Sequence, residues 1–386
     1  MRFLVLVTDA FGGKGGIAKF NRDLLTALCE YPGCDEVVAI ARRMFEEPGP
    51  LPAKLTYVTK ALDSIPKYMT TVLETASKGK KFDLILCGHI HLLPAAYLPR
   101  YFGLRAPLAL VLHGTDAWQP SKNPIANWLA RKIDAAISVS KVTQERFLTW
   151  AQVNGAASFT LPNSIDLSRF SAEAKDSRLL HHYGLDGKKV MMTLGRLEET
   201  ERYKGVDEVL DVMPQLLKEV PNLVYLVAGE GSGRMRLQEK AKSLGLKGRV
   251  TFTGFIPESE KADHYRLADA FVMPGWGEGF GIVYLEAMAC GVPVVASKAD
   301  GSREAVKNGE LGILVDPKNP AEIKEGILEA LRRPRQVPAG LEDFSFKNFK
   351  RRVHEIIEKI QGQNSGTKNS GTGPGMRSGP VPEFFP

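Results

Sequence analysis

The sequence predicts an α/β protein with two doubly wound, Rossmann-like domains that face each other across a cleft. Three observations support this fold class. The chain has 386 residues, which is more than a single hydrophobic core usually organises. Short apolar runs recur between amphipathic stretches, as in parallel sheets covered by helices. The pattern stops at a polar segment and then restarts, which indicates two similar domains in succession.

The first domain is predicted over residues 1–168. Its apolar runs lie at 3–7 (FLVLV), 36–41 (EVVAIA), 83–88 (DLILCG), 108–114 (LALVLHG) and 135–140 (AAISVS). These runs do not alternate with polar residues, which is typical of strands buried on both faces. The N-terminal run is too short to span a membrane and lacks the basic region and cleavage site of a signal peptide. It predicts a first buried strand, and we expect a cytoplasmic protein.

The second domain is predicted over residues 169–345, and its junction with the first domain lies within a polar and turn-rich linker at 161–189. Its apolar runs lie at 190–195 (VMMTLG), 222–229 (NLVYLVAG), 250–254 (VTFTG), 270–274 (AFVMP), 292–297 (VPVVAS) and 312–316 (GILVD). An amphipathic C-terminal helix is predicted over 346–360. The last 26 residues, 361–386, are rich in Gly, Ser, Asn and Pro, and this composition predicts a disordered tail.

The charge balance indicates an acidic partner. The formal net charge is +7, and residues 1–166 hold 19 Lys and Arg against 14 Asp and Glu, a difference of +5. A phosphorylated substrate, an anionic membrane surface or nucleic acid would fit this excess, and so would a surface that is merely basic. The sequence has no RNP-like or helix-turn-helix signature, so no nucleic acid is expected.

The cysteines and histidines do not predict a metal site. Four cysteines occur without a CxxC pair, which is typical of reduced thiols in a cytosolic protein. His89 and His91 form an HxH pair in CGHIHLL, but zinc needs at least a third ligand and no Asp or Cys cluster is near. We expect these histidines to line the mouth of the cleft.

Glycine-rich loops follow predicted strands in both domains. In the first domain, FGGKGGIAKF places Gly15 and Gly16 at the start of a helix, where backbone N–H groups can approach an anion. This loop does not match GxGxxG, and such a turn can also be only a turn. In the second domain, GRLEETERYKG places Arg196 and Lys204 after the first strand, where two cations can meet a diphosphate. Ordinary surface loops are the alternative in each case.

The stretch GWGEGFGIVYLEAMACGVPVVAS, residues 275–297, predicts a loop followed by a helix that starts around 280–282. The N-terminus of this helix offers free N–H groups and the positive end of a dipole to a phosphate. Glu278 lies in the loop and Glu286 lies inside the helix. Carboxylates suit vicinal hydroxyl groups, so one can bind a sugar and the other a ribose. The alternative is a helix-terminal charge and a solvated helix face.

These motifs together resemble the retaining glycosyltransferases of family 4, which have the GT-B fold. The resemblance rests on E-x7-E in EGFGIVYLE and on GRL…KG, GEGSG, LHGTD and PNSID, and it covers about residues 1–360. It implies transfer of a sugar from a nucleotide diphosphate donor with retention at the anomeric carbon.

The resemblance also implies roles for individual residues. The implied catalytic residues are Glu278, His113, Arg196 and Lys204. The implied donor-binding residues are Gly15, Gly16, Arg196, Lys204, Ile256, Glu278, Gly281, Ile282, Val283 and Glu286. Arg196 and Lys204 would clamp the diphosphate, Glu286 would bind the ribose, and Glu278 would bind the transferred sugar. The segment between Arg196 and Lys204 is longer than is common in the family, which leaves Arg202 as an alternative to Lys204.

The sequence therefore predicts a hexosyltransferase that uses a GDP- or UDP-sugar, with mannose or glucose as examples. Its acceptor is expected to be a glycan or a lipid-linked or phosphorylated molecule, with a contact to an anionic membrane as one form of this expectation. The nucleotide sugar is a substrate, and neither a cofactor nor a metal ion is expected. A nucleotide-sugar epimerase, a phosphorylase and a non-catalytic sugar-nucleotide-binding protein are the alternatives. An epimerase would carry its own acid/base set, and a phosphorylase would usually need a cofactor lysine.

Overall fold

The computed structural model describes residues 1–78, 81–153 and 155–366, without the side chains of 363–366. In the described residues the chain forms two parallel sheets, and each predicted apolar run contains a strand. The disorder predicted from residue 367 onward lies outside the described residues. The described helices are too short or too polar to cross a lipid bilayer.

The first sheet has the strand order β3-β2-β1-β4-β5-β6-β7. Its strands are β1 Arg2–Val7, β2 Glu36–Ala41, β3 Leu55–Val58, β4 Leu84–Cys87, β5 Leu108–Leu112, β6 Ala135–Ser138 and β7 Ala157–Thr160. The sequence did not predict β3 and β7, which form the two edges of this sheet. Both are half exposed, so neither has the continuous apolar run of a strand that is buried on both faces.

The second sheet has the strand order β10-β9-β8-β11-β12-β13. Its strands are β8 Lys189–Leu194, β9 Leu223–Ala228, β10 Val250–Gly254, β11 Ala270–Val272, β12 Val294–Ser297 and β13 Ile313–Val315. The order reverses between β1 and β4 in the first sheet and between β8 and β11 in the second. Loops at such reversals open a crevice at the carboxyl ends of the strands, where ligands bind in this architecture.

Helices cover both faces of the two sheets. They are α1 Gly15–Cys29, α2 Ile65–Ser77, α3 Leu93–Tyr101, α4 Pro124–Ala130, α5 Lys141–Ala151, α6 Ser177–His182, α7 Val206–Glu219, α8 Arg234–Ser243, α9 Lys261–Leu267, α10 Ile282–Ala289, α11 Ser302–Ala305, α12 Pro320–Arg332 and α13 Phe346–Gly366. Successive residues of β1 alternate between the faces, so Phe3 and Val5 belong to the core under α1 and α13, while Leu4 and Leu6 belong to the core on the opposite face.

The C-terminal helix α13 returns to the first domain after the second sheet is complete. His354 Nε2 lies 2.9 Å from the carbonyl oxygen of Ala27 in α1, and Lys350 pairs with Glu30 at 2.6 Å. The helix continues to Gly366, so the first six residues of the tail that was predicted to be disordered are helical. The predicted linker also contains a short helix, α6. The chain thus crosses between the two domains twice.

Candidate active site

The residues of the predicted site lie beyond the carboxyl ends of strands at or next to the two topological reversals. Gly15 follows β1, and His113 follows β5 in the first sheet. Arg196 follows β8, and Glu278 follows β11 in the second sheet. Strands β8 and β11 are paired, so the Arg196 and Glu278 loops leave the second sheet side by side. The crevice predicted from the strand pattern is therefore where these loops meet.

Lys204 and Glu278 form an ion pair in this crevice. Their side chains are only 15% and 16% exposed. The Lys204 chain passes over Gly195, where an added Cβ atom would lie 3.2 Å from Lys204 Cδ. Burial opposes the positive charge, but the neighbouring Glu278 carboxylate outweighs it and raises the pKa of Lys204. Lys204 therefore stays a cation. The residue predicted to bind the diphosphate, Lys204, thus lies in contact with the residue predicted to bind the sugar, Glu278.

The backbone of Glu278 is held from both sides by the turn after β12. The N–H of Glu278 donates to Asp300 Oδ2 at 2.8 Å, and the N–H of Gly301 donates to the carbonyl oxygen of Glu278 at 2.9 Å. Asp300 is fully buried and also accepts the Ser302 hydroxyl at 2.6 Å. Burial raises the pKa of Asp300 to about 6. Asp300 is not among the site residues predicted from the sequence.

Arg196 lies apart from the Lys204 and Glu278 pair. Its side chain is 73% exposed and pairs with Glu201. An exposed guanidinium on a loop can turn towards an incoming anion, so its predicted role as a diphosphate ligand requires such a movement. Arg202 Nε lies 3.5 Å from Oδ2 of Asp207 in α7. Lys204, and not Arg202, contacts Glu278, which favours the lysine over the alternative left open by the sequence.

Helix α10 begins as the sequence predicts, with Gly281 as its N-cap. Gly281 has φ +86°, and a Cβ atom there would lie 2.6 Å from the ring of Tyr284, so only glycine fits this turn without strain. Ile282 and Val283 are half-buried, whereas the rest of the helix is buried. The amides of the first turn have no acidic side chain beside them within that turn. They can therefore receive an anion from the crevice.

Glu286 lies inside α10 and has different partners from Glu278. It is 1% exposed and accepts the hydroxyl of Tyr265 at 2.7 Å. Lys261 Nζ lies 3.6 Å from its other carboxylate oxygen. Burial opposes the charge of Lys261, but Glu286 and Glu258 outweigh it and raise the pKa of the lysine. The two glutamates of the motif thus have different contact partners. Ile256, the residue predicted to lie against the base, is also buried and follows β10.

The first domain brings its glycine loop to the start of α10. Gly15 has φ +87° with open space at its Cβ position, and a Cβ atom on Gly16 would lie 3.9 Å from Ile282 Cγ2. The N-termini of α1 and α10 therefore face each other across the crevice. Gly114 and Gly279 approach even more closely, since a Cβ atom on Gly114 would lie 2.7 Å from the Cα atom of Gly279.

His113 is fixed in a group of rings on the first domain. Its Nε2 lies 2.8 Å from the carbonyl oxygen of Gly88, and its ring packs edge-on against Phe20. Burial lowers the pKa of His113 to about 4, so the ring is neutral near pH 7. A neutral imidazole suits hydrogen bonding to a sugar or acceptor hydroxyl.

His89 and Asp116 lie beside this ring. His89 Nε2 is 3.7 Å from Asp116 Oδ2, and burial raises the pKa of Asp116 to about 7. Among the described residues, no group of three or more His, Cys, Asp or Glu side chains is arranged to hold a metal ion.

The residues that were not predicted from the sequence differ in how far their contacts could have been anticipated. Lys261 and Tyr265 stand four residues apart in α9, a spacing that puts both on one helix face, so their joint contact with a carboxylate could have been anticipated. Asp300 follows a strand in ADGS and carries no comparable spacing. Its role depends on the approach of two loops that are distant in sequence.

Comparison with known proteins identifies a family. Residues 14–169 match the family model described as Glycosyltransferase Family 4, and residues 182–342 match the model described as Glycosyl transferases group 1. A GDP-mannose-dependent alpha-(1-6)-phosphatidylinositol monomannoside mannosyltransferase of Mycolicibacterium smegmatis is 35% identical to the chain over 267 residues. The match covers 62% of this chain and 68% of the relative.

Solved structures share the fold. HepE of Anabaena, in complex with UDP and glucose, has a TM-score of 0.72 at 22% identity over 93% of this chain and 100% of its own. Sucrose-phosphate synthase of Thermosynechococcus elongatus has a TM-score of 0.68 at 20% identity over 95% and 98%. Fold and sequence together define a glycosyltransferase of the GT-B class. Within that class, the chain belongs to the glycosyltransferases that have a Glycosyltransferase Family 4 domain followed by a Glycosyl transferases group 1 domain.

Proposed function

We propose that the chain is a retaining hexosyltransferase that transfers a sugar from a nucleotide diphosphate donor. Lys204, Arg196 and the first amides of α10 bind the diphosphate in this proposal. Glu278 binds hydroxyl groups of the transferred sugar, and Glu286 binds the ribose. The single observation that carries the proposal is the buried pair of Lys204 and Glu278 beside the N-terminus of α10. A cation for phosphate and a carboxylate for sugar lie together there, as a sugar diphosphate requires.

The donor that we propose is GDP-mannose. The M. smegmatis relative is named as GDP-mannose-dependent, whereas the structurally similar HepE binds UDP and glucose at an identity that supports the fold alone. Ile256, the residue assigned to the base, offers an apolar contact that does not distinguish guanine from uracil. The choice of GDP-mannose as the donor therefore rests on the name of the M. smegmatis relative.

The acceptor that we propose is a phosphorylated lipid that carries an inositol or sugar headgroup. The relative acts on a phosphatidylinositol monomannoside according to its name. The +5 charge difference within residues 1–166 suits a phosphorylated headgroup or a surface of anionic lipid. In this proposal the acceptor enters from the first domain, near His113, and the protein works at the cytoplasmic face of a membrane.

Departure of the nucleoside diphosphate is the step that needs stabilisation, because negative charge builds on the leaving group as the anomeric centre gains oxocarbenium character. In this proposal Lys204 and the first amides of α10 stabilise this charge, and Arg196 joins them on donor binding. Glu278 is ion-paired with Lys204 and is therefore a poor nucleophile. We propose attack by the acceptor hydroxyl on the face that the diphosphate leaves, with the departing phosphate accepting the hydroxyl proton, and without a metal ion.

The proposal is tested by a donor screen followed by a transfer assay. GDP-mannose, UDP-glucose and ADP-glucose are compared by thermal shift, where a donor at a hundred times its dissociation constant stabilises the fold by about 2.7 kcal/mol. Transfer is then measured as nucleoside diphosphate release in the presence of a phosphatidylinositol mannoside. Retention requires an α-linked product, read from the one-bond coupling between the anomeric carbon and its proton. A β-linked product, or binding without turnover, would contradict the proposal.

A further inference from the structure

A short segment of the second domain contacts the first domain on one side and Glu278 on the other. The segment comprises residues 299–304, between β12 and the end of α11. On its inner side, Asp300 and Gly301 hold the backbone of Glu278 through the two hydrogen bonds described above. On its outer side, Glu304 reaches helix α5 of the first domain. One turn of chain therefore touches both the sugar-binding carboxylate and the opposite domain.

The outer contact completes the N-terminus of α5. Glu304 accepts the N–H of Lys141 at 2.8 Å with one carboxylate oxygen and the N–H of Val142 at 3.0 Å with the other. The hydroxyl of Ser140, the N-cap in the first domain, accepts the N–H of Thr143 at 3.1 Å. A carboxylate at this position satisfies two amides and interacts favourably with the helix dipole. The first turn of α5 is thus capped from across the crevice.

Three more contacts join α5 to the 299–304 segment and to the loop that carries His113. Arg146 donates to the carbonyl oxygen of Ala299 at 2.9 Å, and its guanidinium lies 3.8 Å from the centre of the Trp118 ring. Trp118 also donates from Nε1 to Thr143 Oγ1 at 3.1 Å. Trp118 belongs to the loop that carries His113. Helix α5 therefore lies between the loop that faces the acceptor and the segment that holds Glu278.

We propose that the 299–304 segment couples closure of the two domains to the position of Glu278, with Glu304 and Asp300 as positioning residues. When the domains separate, α5 loses the Glu304 carboxylate as a cap, and the 299–304 segment loses its contacts with α5. The hydrogen bonds from Asp300 and Gly301 then hold Glu278 less firmly, so the sugar ligand is in place only in the closed molecule. Closure that completes a site in this way also excludes water from it. The catalytic part of this inference rests on the proposed function.

Hydrogen exchange on the full chain tests the coupling without any substrate. Glu304→Ala should speed exchange of the amides at the start of α5, 140–144, and also of those in the Glu278 loop, 275–281, by about tenfold or more. Ser140→Ala removes the cap that belongs to the same domain and should act mainly on the start of α5, because Thr143, its hydroxyl partner, reaches the carbonyl oxygen of Gly279 only at 3.4 Å. Asp300→Asn should affect the Glu278 loop alone. Glu310→Ala, an exposed glutamate on the same domain, should change neither region.

The result that would overturn the inference is faster exchange at α5 alone in Glu304→Ala, since Glu304 would then be only a helix cap. A kinetic measurement gives a second readout. Glu304→Ala should lower kcat about tenfold or more with a donor KM within about threefold of wild type, as for an interaction made only in the transition state. Glu304→Gln, which keeps one acceptor oxygen, should recover part of the rate. A wild-type protein that transfers no sugar would contradict the proposed function, while the exchange pattern would still decide the coupling.

Discussion

Lys204 donates a hydrogen bond to the carboxylate of Glu278, so the cation assigned to the diphosphate is already paired with the ligand assigned to the sugar. The pair holds both side chains in the crevice before a donor arrives. A bound diphosphate would share Lys204 with Glu278, which brings the leaving group next to the sugar that it leaves. The pair also implies that the two residues respond differently to substitution.

Glu278→Gln should separate catalysis from nucleotide binding. The substitution keeps the shape of the side chain but removes the charge that competes for Lys204. We expect nucleoside diphosphate affinity to stay equal or to increase, while kcat falls about a hundredfold or more, comparable to losing one strong transition-state hydrogen bond. Isothermal calorimetry with GDP and steady-state kinetics measure the two quantities. A loss of GDP affinity as large as the loss of rate would contradict the assignment.

Glu286→Ala should weaken nucleotide binding and destabilise the second domain. Glu286 accepts the hydroxyl of buried Tyr265, and a buried donor left without an acceptor costs about 1–3 kcal/mol. Lys261 loses one of its two carboxylate partners and keeps Glu258 at 2.8 Å. We expect the melting temperature to fall and GDP affinity to drop about tenfold or more. Tyr265→Phe is the matched control, because it removes one hydrogen bond to Glu286 and keeps the carboxylate. It should lower stability by about 1 kcal/mol with GDP affinity retained.

The fold was predictable because buried parallel strands have a distinctive pattern. Continuous runs such as 223–228 are apolar on both faces, and each of these runs forms a strand. The edge strands β3 and β7 were missed because one side of each meets solvent, and half-exposed strands of four residues resemble loops. Strand pattern alone therefore finds the centre of such a sheet better than its edges.

The candidate site was predictable only in part. The start of α10 could be predicted from its glycines and from the helix-forming residues that follow them. The contacts of Asp300 and Glu304 could not, because they join segments more than twenty residues apart or in different domains. The sequence also left the choice between Lys204 and Arg202 open, since both side chains stand in the same short turn. Lys204 packs over Gly195 and pairs with Glu278, which favours Lys204 as the ligand that we propose.

The free energy of unfolding should decrease at mildly acidic pH because of His113. Burial lowers the pKa of His113 from 6.5 to about 4, so between these values the unfolded chain binds a proton that the folded chain does not. This contribution to stability is present above pH 6.5 and is lost as the pH falls towards 4, by up to about 1.4 kcal/mol per pH unit.

The comparison variant for this effect is His113→Gln, which does not titrate at position 113. The free energy of unfolding of wild type relative to this variant, from urea titrations at pH 7 and pH 5, should decrease at the lower pH. His89 and Asp116 remain in both proteins, so their contributions largely cancel in the difference. A difference that is the same at both pH values would show that His113 titrates normally.

Transfer should persist in EDTA. The proposed diphosphate site contains Lys204, Arg196 and the N-terminus of α10, which can neutralise a leaving group without a divalent ion. Arg196→Ala should instead lower kcat about a hundredfold, as expected for the loss of about 3 kcal/mol of transition-state stabilisation. Arg202→Ala is the matched control and should retain most of the rate. Activity that EDTA abolishes and magnesium or manganese restores would refute the metal-free mechanism.

We expect the first domain to bind a membrane through exposed aromatic residues at the end of α3 and on α4. Tyr101 is 77% exposed, Phe102 is 68% exposed and Trp128 is 53% exposed. Lys132 Nζ lies 4.0 Å from the centre of the Trp128 ring, and Arg105 is exposed near Phe102. Aromatic rings beside cations suit the interface of an anionic bilayer, where each basic residue contributes about 1 kcal/mol. We expect the protein to sediment with phosphatidylserine-containing vesicles at low salt.

The double variant Tyr101→Ser with Phe102→Ser tests whether this surface makes the contact. It should reduce vesicle binding at low salt and leave GDP affinity unchanged, because neither residue belongs to the crevice. Met235→Ser is the matched control: Met235 is 71% exposed beside basic residues of α8 on the other domain, and its loss should leave vesicle binding intact. High salt should weaken binding of the wild type, since a Debye length of about 3 Å at 1 M screens the basic residues. Equal binding to neutral and anionic vesicles, or equal losses in both variants, would exclude this surface as the docking site and leave a soluble phosphorylated acceptor as the partner of the basic domain.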